Sequence, residues 1–333
     1  MIIEGLAITV VAGILGGSVL APIKAMRGWV FEKSWAVYSV WAYLVLPWLL
    51  ALVTVPHLLG IYSQISSRTM LICAACGLGW GIAVSLFGVA VNLIGLSLAT
   101  PLLYGISIAV GSLSPLLISH PERLFSRQGL WIVLADAGII GGVLLCAWAG
   151  KRRDAGNTAL KTSPQGQFVR GVVAAVVAAF LSSLFNIALA YGGEFNRLAI
   201  AQGASPLNAA NAQWAFTVTF GYVPNVLLTL VTFTRRRAWG SFLTGPSLYW
   251  ILAPLMGLMF IAGTALYGTG AGLMGDIGPV IGWPVYMSIS IVAGVFWGWA
   301  TGEWRGAPRS VLQLLMAGTL VQLVSITLLG VLG

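Results

Sequence analysis

Three hundred and thirty-three residues carry 17 Lys and Arg and 8 Asp and Glu, so 8% of the chain is charged, where a soluble domain has about 25%. With a mean hydropathy of +0.95, this composition excludes a water-soluble globule. Ten apolar stretches of about 20 residues, the length that spans a bilayer core, consume most of the chain and leave room for no sizeable extramembrane domain.

The apolar runs fall at 3–23, 36–55, 70–91, 94–118, 129–149, 168–191, 208–233, 247–267, 278–300 and 310–332. Lipid is spanned only by helices and closed barrels, and runs of this length without two-residue alternation are helices. The predicted fold is therefore an all-α polytopic membrane protein with ten transmembrane helices. The N-terminus, Met-Ile-Ile-Glu, has no positive leader, so the first run reads as a retained helix and not a signal peptide.

Basic residues set a direction. Connections after odd-numbered runs hold thirteen Lys and Arg, among them Lys24, Arg27, Lys33, Lys151, Arg152, Arg153 and Arg235–Arg237. Connections after even-numbered runs hold four: Arg68, Arg123, Arg127 and Arg197. The positive-inside rule places the odd connections in the cytoplasm and both termini outside. Basic residues scattered over short connections read as topology determinants facing headgroups, not as a nucleic-acid surface.

The polar connection 151–167 divides the chain into residues 1–150 and 168–333, with five helices each. An odd number per half inverts the second against the first, as in many secondary transporters. A trace of the repeat survives: at an offset of 183 residues, 94–111 and 277–294 share seven of 18 positions, including Gly95/Gly278, Pro101/Pro284, Ser107/Ser290 and Gly111/Gly294.

A set of ordered motifs resembles the L-rhamnose–proton symporter family of the drug/metabolite transporter superfamily. The set comprises Ala21-Pro22-Ile23-Lys24, Trp29-x-x-Glu32-x-x-Trp35, Leu46-Pro47-Trp48, Trp80-Gly81-Ile82, Gly95 with Ser97, Ala149-Gly150, Asn225 and Glu303-Trp304. The resemblance implies a ten-helix bacterial inner-membrane carrier of two inverted repeats that moves a deoxy-hexose inward with a proton. The glycine-rich stretch Gly268–Asp276 departs from the family pattern, which is more polar and aromatic there, and leaves the identity of the sugar open.

A neutral sugar needs flat apolar surfaces for its C–H faces and partners for its hydroxyls; Trp and Tyr supply the first, Asn and Gln the second. Such groups concentrate in the second half. Asn186, Gln213, Trp214, Asn225, Trp283 and Tyr286 are the candidate substrate-binding residues, with Trp80, Asn92 and Tyr104 secondary. Pro101 and Pro284 are candidate hinges, since each denies a helical donor to the carbonyl four residues earlier, at Ser97 and Val280. Those carbonyls become potential acceptors for sugar hydroxyls.

For proton coupling, Asp276 stands seven residues before Trp283, on the same face if the ninth helix extends that far back. Asp136 lies inside the fifth run beside Gly138-x-x-x-Gly142, a packing motif. In the superfamily fold that helix tends to sit outside the cavity, which favours Asp276. Glu32 and Glu303 read as structural at the cytoplasmic face. Cys73, Cys76 and Cys146 lie in apolar runs with no second ligand pair, and His57 and His120 are far apart, so no metal, cofactor or membrane-embedded enzyme is indicated. The partners expected are a small neutral sugar, a proton and the bilayer. An exporter of the same fold is the alternative.

Overall fold

The protein is described by a computed structural model, apart from residues 1, 95, 120, 156–164, 238, 303 and 333 and the side chains of 96–98, 101, 119, 123, 154, 155, 165 and 330–332. Among the described residues all regular structure is helical. The long helices are α1 (Ile2–Ser18), α2 (Phe31–Thr54), α3 (Ser67–Ile94), α4 (Leu96–Ser119) and α5 (Arg127–Ala155) in the first half. The second half contributes α6 (Gln165–Tyr191), α7 (Ala210–Arg235), α8 (Ser247–Leu273), α9 (Gly278–Ala300) and α10 (Arg309–Leu332). Nine candidate membrane spans are found among the described residues, and α4 adds the shorter apolar stretch Leu102–Ile118.

Several boundaries differ from the sequence reading for identifiable reasons. α2 begins at Phe31, so Lys33 lies inside a helix and not in a connection. Its course changes to a π turn over Trp41–Val45 immediately before Leu46-Pro47. Pro47 has no N–H and its ring crowds the preceding turn, which a wider turn accommodates. Two short helices, Leu58–Gln64 and Gly193–Ala201, occupy the connections after the second and sixth apolar runs. They are joined through Ser66, whose backbone N–H and hydroxyl donate to Glu194 at 3.1 and 2.7 Å.

The glycine-rich stretch is the end of a helix, not a polar loop. α8 continues to Leu273, and its glycines admit neighbours: a Cβ on Gly268 would meet the Trp214 indole, and one on Gly270 would meet Thr9 and Gly5 of α1. The chain reverses at Gly275, whose φ of 69° lies in the left-handed region that favours glycine. A single 3₁₀ turn, Gly275–Ile277, precedes α9. α9 therefore does not extend back over Asp276, and the condition that placed Asp276 on one helical face with Trp283 is not met.

Packing follows small residues, as expected where lipid competes with apolar side chains. α3 lies along α6 and α1 along α8; α1 meets α9 and α4 meets α6; α3 meets α7 and α2 meets α8. α5 packs on α10, where Gly138 faces Ser325 and Gly142 faces Gly318 and Gln322, the use the Gly138-x-x-x-Gly142 spacing predicts. α4 and α9 touch each other across the two halves.

Candidate functional site

α9 organises the centre of the molecule. Its Pro284 leaves the Val280 carbonyl without a helical donor, but this carbonyl is not a free acceptor: the Ser112 hydroxyl of α4 donates to it at 2.8 Å. The Asn186 amide of α6 donates to the Gly111 carbonyl at 2.7 Å and to the Pro279 carbonyl at 2.8 Å. Its oxygen accepts from the Tyr267 hydroxyl of α8. One fully buried amide thus ties four helices together. Pro101, the other proposed hinge, lies within α4, and its side chain and that of Ser97 are outside the described residues.

The other sequence candidates also contact the protein itself, though Trp214 and Gln213 less completely. The Trp283 indole N–H donates to the Ser107 carbonyl at 2.9 Å. Trp214 stacks on Phe185 with ring centroids 4.7 Å apart, and its N–H has no partner among the described residues. The Gln213 amide donates to the Ala188 carbonyl at the end of α6. Asn225 accepts from the Trp35 indole at 3.0 Å and donates to the Gly221 carbonyl at 2.8 Å. Phe185, Trp214, Tyr267, Trp283 and Tyr286 form one aromatic layer, continued by Trp80 and Phe260. Asp276 is exposed at the end of the molecule beyond this layer.

Below the layer opens a cavity of about 370 Å³, a size typical of small-molecule sites, which run from about 300 to 1,000 Å³. It is lined by Gly16 and Gly17 of α1, Thr100 and Tyr104 of α4, Val143 and Cys146 of α5, and Ser290 and Gly294 of α9. Lys24, Arg153, Trp297 and Trp304 line it toward the end that carries most of the basic residues. Lys24 donates to Thr301 at 2.9 Å, and the Arg153 guanidinium lies 4.6 Å from the Trp304 ring. Tyr286 stands next to this space without lining it: its hydroxyl lies 2.6 Å from where a Cβ on Gly16 would sit, with the Ser290 hydroxyl 3.0 Å from the same point. Thr100 and Ser290 as lining groups were missed by the sequence reading, because neither Ser nor Thr in an apolar run differs visibly from packing residues. Tyr104, only secondary there, is a lining residue.

At the basic end, the first-half Trp29-x-x-Glu32-x-x-Trp35 motif grips the second half. Trp29 donates to the Thr244 carbonyl at 3.2 Å, and Glu32 pairs with Arg236 at 2.8 Å. Lys33 is 4% exposed; its ammonium donates to the carbonyls of Ser241, at 2.8 Å, and Thr244, and lies 4.4 Å from the Trp29 ring centre. The structural role read for Glu32 thus has Arg236 as its partner. Glu303 lies outside the described residues.

A multi-pass helical membrane protein with a cavity lined by helices of both halves of the chain is the class that this arrangement defines. The whole chain, residues 1–333, matches the family described as L-rhamnose-proton symport protein (RhaT), and the chain belongs to that family. It is 25% identical over 323 residues to an L-rhamnose-proton symporter of Escherichia coli (strain ATCC 8739), covering 93% of this chain and 92% of the relative. It is 24% identical over 322 residues to the L-rhamnose-proton symporter of Citrobacter koseri, with the same coverage. A solved crystal structure superposes with a TM-score of 0.58 at 15% identity, over 98% of this chain and 97% of that one, a likeness of fold alone. The family is one of transporters and not of enzymes.

Proposed function

We propose that the protein takes up L-rhamnose, or a related deoxy-hexose or hexose, together with a proton across a bacterial inner membrane by alternating access. The observation that carries this reading is the cavity, which opens between the halves on one side of a buried aromatic layer, in a chain of the L-rhamnose-proton symport family. The ten helices are read as two inverted five-helix repeats, 1–150 and 168–333 joined by 151–167, of the drug/metabolite transporter type. Helix pairing supports this: exchanging α1–α5 with α6–α10 turns the α1–α8 contact into α6–α3, α1–α9 into α6–α4 and α2–α8 into α7–α3, all of which occur. The thirteen-to-four distribution of basic residues supports a cytoplasmic basic end and outward termini. The cavity then faces the cytoplasm, and the aromatic layer is the closed outer gate.

In this reading Tyr104, Tyr286, Thr100 and Ser290 meet the sugar from the cavity. Asn186, Gln213, Trp214 and Trp283 form the gate, and rearrangement about Pro101 and Pro284 presents their polar edges to the outer side; Asn225, bonded to Trp35, lies toward the basic end and meets the sugar from that side. Asp276 is the sequence candidate for the proton site. One proton driven by 100 mV supplies about 2.3 kcal/mol, enough for roughly 50-fold accumulation of a neutral sugar. Proteoliposomes given an inward proton gradient should accumulate L-rhamnose. Accumulation that persists after both the pH and the voltage gradients are collapsed would rule the mechanism out.

A further inference from the structure

Asp136 is, among the described residues, the only buried acidic side chain, 2% exposed in the middle of α5. Among the described residues, neither of its carboxyl oxygens has a hydrogen-bond partner. The Ser112 hydroxyl of α4 stands beside it, but the single hydroxyl proton of Ser112 goes to the Val280 carbonyl. That carbonyl is the one Pro284 deprives of a donor.

Among the described residues, the helices packed on it supply no countercharge. α5 packs against α4, α9 and α10. α4 and α9 contain no Lys, Arg, His, Asp or Glu, and α10 contains only Arg309, at its first residue. The titratable groups on these helices are otherwise Tyr104, two turns along α4 from Ser112, and Tyr286 on α9. Gln322 and Ser325 of α10 face Gly142 and Gly138 instead. An ionised carboxylate left unpaired in such a place is strongly disfavoured.

A neutral carboxyl fits. Its own O–H can donate to the Ser112 oxygen, which has lone pairs to accept it while its proton serves Val280. The observed Ser112–Val280 bond is thus the arrangement that protonated Asp136 permits. On losing the proton, Asp136 becomes acceptor-only, and Ser112 can serve it only by releasing Val280. The carbonyl at the Pro284 kink is then orphaned, and the seat of α9 on α4, where the two halves meet, is weakened. Asp136 also lies in a suitable place for such a role. It is roughly 14 Å along α5 from Arg127 and roughly 10 Å from Val143, which lines the cavity. Ile132 and Ile139, both buried on α5, flank it in either direction.

We propose that Asp136 carries the coupled proton and that Ser112 transmits its protonation state to the Val280 carbonyl at the Pro284 kink, an inference that rests on the proton-coupled reading above. The proton is taken up from the outer side, held while Asp136 is buried as it is here, and released when the cytoplasmic cavity extends to Asp136.

The test uses the full protein in proteoliposomes. Asp136→Asn should exchange L-rhamnose by counterflow, while accumulation under an inward pH gradient falls from the roughly 50-fold limit toward none. L-Rhamnose added to the purified wild type should change the pH of a weakly buffered solution, and this signal should vanish in Asp136→Asn. Ser112→Ala keeps the carboxyl and should move the pH midpoint of rhamnose exchange. If the wild type does not accumulate rhamnose, the proposed function fails. If the wild type accumulates it and Asp136→Asn does so equally, Asp136 is not the proton site. Should Asp136→Asn fail to fold, Ser112→Ala decides, and an unchanged pH midpoint overturns the proposal.

Discussion

The indole of Trp283 occupies the space that a side chain on Gly111 would need, and its N–H reaches the Ser107 carbonyl one turn earlier on α4. Gly111 aligns with Gly294 in the other half, yet a Cβ on Gly294 meets nothing within 4 Å and points to the cavity that Gly294 lines. The same residue at matched positions therefore does two different things. At one it admits an aromatic ring between the halves; at the other it leaves a space open.

The first prediction uses this contrast. Gly111→Ala must displace Trp283 and should destabilise the protein by about 1–3 kcal/mol, as overpacking does. Gly294→Ala should be neutral or stabilising by up to about 1 kcal/mol, because a helical glycine gives up more chain entropy than alanine. Thermal unfolding of the two purified variants checks it, and equal shifts would show that Trp283 can move aside without loss.

Asn186 gives a second prediction. Asn186→Ala removes two donations to carbonyls and orphans the Tyr267 hydroxyl. Interhelical hydrogen bonds in membranes average about 0.6 kcal/mol with a maximum near 1.7, so a total loss of about 1–3 kcal/mol is expected. Tyr267→Phe removes the orphaned hydroxyl, so the double variant should be less destabilised than the sum of the singles. Strict additivity in denaturant unfolding would mean that the two side chains do not interact.

The basic-end clamp separates two charges that look alike in the sequence. Glu32 pairs with an Arg236 that is largely exposed, 62% by side chain, and exposed ion pairs are worth about 0–1 kcal/mol. Lys33 is buried on two carbonyls and two tryptophan rings. Lys33→Met should therefore cost clearly more stability than Glu32→Gln, and its cost should be nearly independent of salt, since buried interactions are little screened. The comparison needs only melting curves at low and high salt; a larger and salt-sensitive effect from Glu32→Gln would contradict it.

This clamp also marks where sequence reasoning stopped. The helical runs were legible because lipid enforces a long uninterrupted apolar signal, and the Gly138-x-x-x-Gly142 spacing announced a packing face that α10 does occupy. The partners of Lys33 were not legible. Ser241 and Thr244 lie more than two hundred residues away, and backbone carbonyls carry no sequence signature. For the same reason the Val280 carbonyl looked like a free acceptor, although Ser112 already serves it. Polar side chains such as Asn186 and Gln213 were visible, but whether they face a cavity or a neighbouring helix depends on a rotation of a few tens of degrees that periodicity does not fix. Asp136 was set aside on the position of its helix, whereas burial and the absence of a partner are what single it out.

The last prediction concerns the cavity. Gly294 is open to it, so Gly294→Cys, in a background with Cys73, Cys76 and Cys146 replaced, places a thiol on its wall with no clash. In the conformation described here, a small membrane-impermeant thiol reagent should reach that cysteine from the basic side and not from the other, because the aromatic layer lies between. A cysteine introduced at position 156 should share that sidedness, since it belongs to the connection between α5 and α6. With the basic side cytoplasmic, as proposed above, neither should react in intact cells, and both should in inverted vesicles. Saturating L-rhamnose should protect position 294 but leave position 156 unaffected. Tyr104→Phe, which removes one hydroxyl from the same wall, should raise the rhamnose concentration needed for protection by about 2- to 12-fold, the equivalent of one net hydrogen bond of about 0.5–1.5 kcal/mol. Labelling of position 156 from outside intact cells would invert the topology and put the cavity on the wrong side for release. Protection of 294 that is indifferent to the Tyr104 hydroxyl would take Tyr104 out of the binding wall.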